Sequence, residues 1–159
     1  MVSSKEEITM QTLVSYVPTA ARVLLGLVFT VFGLNGFFNF LPQPPMPEAA
    51  GAFLGALAAT GYMFPLIKGT ELVAGLMLLG NRFVPLALVL LAPVIVNIVA
   101  FHAVLAPGGM ALPLLVLALE LTLAWSYRDA FRSLLAARTS PAVTARRREG
   151  TSVAAPQGA

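Results

Sequence analysis

Residues 64–80 read FPLIKGTELVAGLMLLG, apolar almost throughout, with Lys68 and Glu71 standing in the run three residues apart. A charge at the centre of a membrane helix costs ~2.5–3.5 kcal/mol on insertion scales, so each needs a partner or a purpose. On a surface facing water, the surrounding Leu, Val, Met and Ile have no reason to be there. The rest of the chain decides which solvent applies. Of 159 residues, 58% are hydrophobic and 11% are charged, against roughly 25% charged in a soluble domain. The length suits one domain, and long uncharged runs recur along it, which together predict a multi-spanning membrane protein.

Working outward, the run AARVLLGLVFTVFGLNGFFNFL (20–41) is too long for the ~7–15-residue core of a signal peptide and is expected to be a retained first span. PQPPMPE (42–48) stops it, because proline removes donors and clashes with the preceding turn. Residues 49–63 form a small-residue helix, short for a span and expected to be interfacial or re-entrant. The second span is 64–80 and GNR (80–82) a tight turn; the third is 83–105, with Pro93 inside it; APGG (106–109) turns again, and the fourth is 110–131. The expected fold is therefore all-α: a four-transmembrane-helix bundle with a short extra helix after the first span. It comprises an N-terminal segment (1–19), a membrane domain (20–131) and a basic, disordered tail (132–159).

Basic residues orient the bundle. Lys5, Arg22, Arg82, Arg128, Arg132, Arg138, Arg146, Arg147 and Arg148 all fall on one side of a four-span arrangement, and loops 42–63 and 106–109 contain none. Both termini are expected in the cytoplasm. The same placement reads the net charge of +3 as a topology determinant and not as a nucleic-acid surface.

The absence of cysteine excludes disulfides, thiol redox chemistry and Fe–S clusters. A single histidine, His102, leaves a protein metal site short of nitrogen ligands, so no metal is expected. Any redox role must use a diffusible cofactor or a partner's centre. At ~1.5 Å per residue, Asn35, Lys68, Glu71, His102 and, deeper, Asn97 share the outer half of the bundle. Lys68, Glu71 and Gly75 share a helix face. Asn97 and His102, five apart, point about 140° away from each other and need the Pro93 kink to serve one narrow cavity. Each group has two readings. Lys68 and Glu71 either neutralise each other or hold a ligand; His102 is an interfacial hydrogen-bonding residue or a ligand contact. Asn35 and Asn97 are interhelical glue or binding groups. Glu120, near the bilayer middle on the fourth span, either pairs with Arg22 as a structural clamp or relays protons. Gly26, Gly33 and Gly36 let helices approach closely, and leave room for a homo-oligomer. Such a polar layer suits the head of a hydrophobic small molecule such as a quinone. A transporter is disfavoured, since four spans without repeats leave little room for alternating access.

ARVLLGLVFTVFGLNGFFNF and AGAFLGALAATGYMFPLIKGTELVAGLMLLGNRFVPLALVLL resemble the DoxX family of small four-helix bacterial membrane proteins, over roughly residues 20 to 131. The best-matching piece is Glu71, Gly75, Gly80 and Arg82, joined by Arg22, Gly26 and Gly33 in the first span. Where relatives often carry a histidine or lysine at the outer end of the first span, this chain has Asn35 to Asn39. The resemblance implies the bacterial inner membrane and a link to quinone-dependent oxidoreductase systems, with a diffusible quinone and a redox enzyme subunit as partner. The second reading is a non-catalytic scaffold or anchor for a partner enzyme.

Overall fold

The computed structural model describes residues 4–42 and 45–132, with 134, 136 and 137; for 4–14 it describes the backbone alone. The expected tail from 138 onward lies outside the described residues. Helices account for all the regular structure there: α1 (Ser4–Phe38), α2 (Glu48–Ala59), α3 (Met63–Leu79), α4 (Val84–Val104), a 3-10 turn (Pro107–Gly109), α5 (Ala111–Ser126) and α6 (Arg128–Phe131).

Local chemistry sets most of the boundaries. Asn39 and Asn81, at φ 48° and 52°, take the left-handed conformation just past α1 and α3, a backbone state that asparagine tolerates better than most residues. The turn after α3 closes with Gly80 N–H donating to Leu76 O and Arg82 N–H to Met77 O at 2.9 and 3.0 Å. Two boundaries differ from expectation. α1 runs unbroken from Ser4 through Pro18, so no break separates 4–19 from the apolar segment. The last apolar helix stops at Ser126 and not at 131, with Tyr127 between it and α6.

Among the described residues, two helices are long and apolar enough to cross a membrane, the Ser15–Phe38 part of α1 and all of α4; α2 and α3, meeting at a 93° bend, supply a third if taken as one span. α5 is apolar but has 16 residues, ~24 Å of helix against a hydrocarbon core of ~30 Å.

Up to Arg128 the chain forms one unit in which α1 packs on α3, α3 on α4, α4 on α5 and α5 back on α1. Asp129 onward is a separate unit, where Asp129 pairs with Arg132 at 3.2 Å on an exposed surface. The ring's core is Leu25, Phe29, Ala74, Leu78, Leu91, Ile95, Val116 and Leu123. The α1–α3 seam is the tightest, because glycine lines both sides. A Cβ on Gly33 would stand 2.8 Å from Leu72 N, and one on Gly75 2.7 Å from Thr30 N. Gly26, Gly33 and Gly36 thus spend their close approach inside the chain, against α3.

The surface is apolar as well as the core, and two carboxylates lie inside. Glu71 is 2% exposed and Glu120 6%, while Leu66, Val96 and Leu121 are 60% exposed or more. Carboxylates inside and contiguous Leu and Val outside suit surroundings of lipid. The described residues are all-helical, and their apolar helices suit a protein embedded in a lipid bilayer.

Candidate functional site

At the end of the ring where α1 stops and α3 starts, the helices leave a cleft of about 890 Å³. All five polar residues singled out in the sequence line it: Asn35 of α1, Lys68 and Glu71 of α3, and Asn97 and His102 of α4. Its walls are otherwise apolar and aromatic, with Phe32 from α1, Phe53, Leu54 and Leu57 from α2, Phe64 from α3 and Phe101 from α4.

Glu71, 2% exposed, is the most buried of the five. Lys68 Nζ donates to Glu71 Oε2 at 2.8 Å, with side chains 21% and 3% exposed. One turn of helix brings the two together, since residues three apart are neighbours on its surface. The lysine stem crosses α1 at Gly36, where any side chain would collide with it, and the ammonium lies 5.8 Å from the centre of the Phe64 ring. An ammonium has three N–H donors; one is committed to Glu71.

His102 is held by its own helix. Its Nδ1 lies 2.8 Å from Ile98 O. A carbonyl only accepts, so Nδ1 carries the proton and Nε2 of the neutral ring is an acceptor. The ring stands edge-on to Phe101 at 5.1 Å, and Phe101 in turn meets Phe53 of α2 at 5.8 Å. Gly109 crowds the Nε2 edge, where a Cβ would come within 3.3 Å of that nitrogen.

Asn35 has a structural duty as well. Its Oδ1 accepts the Leu41 N–H at 2.7 Å, and its own carbonyl accepts the Asn39 N–H at 2.8 Å, so it fastens the chain leaving α1. Asn97 is exposed and lines the cleft from the far side of α4. The predicted conflict between Asn97 and His102 dissolves because the cavity is not narrow. Pro93, Val94, Asn97, Ile98, Phe101 and His102 all line it, a face covering about half of a helix at ~100° per residue.

The expected Arg22–Glu120 clamp is not formed. Arg22 Nη1 donates to Leu78 O and, at 3.4 Å, to Leu79 O. Antiparallel packing puts Arg22 beside the last turn of α3, whose carbonyls lack helical partners, and these take up the guanidinium. Glu120 lies on the buried stripe of α5 with Pro113, Val116 and Leu123, and its Oε2 has no hydrogen-bond partner among the described residues. It does not line the cleft.

Gly36, Gly109 and the four phenylalanines were missed as site residues. Glycine and phenylalanine are ordinary in membrane helices, and only the meeting of α1, α2, α3, α4 and the 3-10 turn gives these a role. No family model, curated protein or solved structure matches the chain.

Proposed function

We propose that the chain is a DoxX-like inner-membrane protein of bacteria and the membrane component of a quinone-linked oxidoreductase system. In this reading it crosses the bilayer four times with both termini cytoplasmic, α5 serving as a short fourth span and α2 lying along the outer interface. The 93° bend between α2 and α3 supports an α2 parallel to the membrane. Trp125 at the end of α5, with Arg128 5.4 Å from its ring, is the aromatic–cation pair expected where a helix leaves the hydrocarbon.

One observation carries the functional part: a single cleft gathers Lys68, Glu71, His102, Asn35 and Asn97 between aromatic walls. A planar ring fits between phenylalanines. Its carbonyl oxygens would accept from the N–H donors of Lys68 that Glu71 does not use. On the quinol side, His102 Nε2 is an acceptor suited to a hydroxyl proton. Glu71 keeps Lys68 in place and balances its charge, which makes a charged donor tolerable at membrane depth. The chain's part is to hold the ring: as the quinol becomes a quinone, one of its two protons passes to His102 Nε2 and the other to solvent in the cleft, while its two electrons pass to a redox centre of a partner subunit.

Purification in mild detergent followed by lipid extraction tests this. About one quinone per chain, lost in Lys68→Met, is the expected result. A soluble enzyme co-purifying on a quinone-free chain would instead favour the scaffold reading.

A further inference from the structure

The cleft is larger and less symmetric than a head-group site requires. About 890 Å³ lies near the top of the ~300–1,000 Å³ range of small-molecule sites, and a single ring occupies a fraction of it. Its polar groups are not spread evenly. Lys68, Glu71 and His102 stand at the inner, better buried side, whereas Pro93 and Asn97 are exposed.

The geometry of α4 says where the excess volume leads. Its core-facing stripe is Leu88, Leu91 and Ile95, and at ~100° per residue His102 falls on that stripe. Asn97 lies about 140° round the helix from His102, and Pro93 about 180°. Val96 and Val104, 64% and 77% exposed, mark this outward side as lipid-facing. Yet Pro93, Val94, Asn97, Ile98, Phe101 and His102 line one continuous cleft. The cavity therefore wraps the flank of α4 from the bundle interior to the bilayer. Phe53 and Leu57 of α2 line it as well.

Resting on the reading of the cleft as a head-group site, we infer that its ligand is a long-chain lipid amphiphile taken sideways from the membrane. The head is held by Lys68, Glu71 and His102, and the apolar chain leaves past Val94, Asn97 and Pro93. A water-borne ligand of the same head chemistry would have no use for a polar end and an apolar, lipid-facing end in one cavity. The route also gives Asn97 a task as the portal's polar margin, apart from ring binding.

A decyl-benzoquinone carrying a diazirine at the chain terminus tests the route on the intact chain in vesicles, with tail-less benzoquinone as competitor. Photolysis and peptide mass spectrometry should place the competed adducts on the 93–98 segment of α4. Asn97→Trp, at an exposed position, should lower their yield at least tenfold without moving the melting temperature. Competed adducts mapping instead to the Ala106–Met110 turn would mean access from the aqueous side and overturn the lateral route alone. Adducts that tail-less benzoquinone does not compete would overturn the head-group reading and this inference with it.

Discussion

Lys68 and Glu71 answer for each other at 2.8 Å, and that coupling is measurable. Removing one partner of a buried pair leaves an uncompensated charge at a cost of about 3–5 kcal/mol, whereas removing both is near neutral. Lys68→Met and Glu71→Gln should each lower the melting temperature in detergent more than the double variant does. The double variant should fold and insert, but hold no quinone, because the ring's donor has gone. Glu120 and Arg22 predict the reverse pattern. Arg22→Leu gives up charged hydrogen bonds to the end of α3, about 1.5–3 kcal/mol. Glu120→Leu removes a carboxyl whose Oε2 has no partner and should be neutral or stabilising. Thermal shifts of the two single variants and the double should then add within about 0.5 kcal/mol; strong coupling would mean that the residues do meet. The five cleft residues were legible in the sequence because a polar group in an apolar helix is conspicuous against its neighbours. The ion pair was misread because depth along two helices says nothing about which carbonyls Arg22 finds on a third.

At the scale of elements, the α1–α3 seam governs how closely the cleft's walls stand. Gly33→Ala would press a methyl to 2.8 Å from Leu72 N, a backbone atom that cannot swing away. Overpacking of this kind costs about 1–3 kcal/mol, and spreading α1 from α3 would also displace Asn35 from Lys68. Gly55→Ala in α2 and Gly69→Ala in α3 meet nothing within 4 Å. They should raise the melting temperature slightly, since alanine is favoured over glycine in a helix by roughly 1 kcal/mol. Equal losses at all three positions would refute the close-seam account. Helix limits were mostly readable, within a residue or two for α3 and α4, because proline and asparagine punctuate the chain. Two features were not. One is the passage of α1 through Pro18, since a proline inside a helix removes a donor and clashes with the preceding turn. The break at Tyr127 has no local signal, as LTLAWSYR (121–128) holds neither glycine nor proline.

For the whole molecule, the account depends on a bundle standing in lipid with its cleft toward the outside. The cysteine-free chain makes the orientation directly testable. Gly108→Cys, in a turn with nothing within 4 Å of a new Cβ, should react with a membrane-impermeant maleimide in intact cells. Arg82→Cys, in the turn after α3, should react only after the cells are opened. Reversal of the two would put the cleft on the cytoplasmic side. The central claim, that this cleft holds a quinone-like head, is met most directly by native mass spectrometry of the chain released from quinone-containing nanodiscs. Wild type should carry one quinone per chain. A Lys68→Met, Glu71→Gln, His102→Leu variant with a similar melting temperature should carry none. Equal quinone on both, or a phospholipid in its place on wild type, would contradict the account.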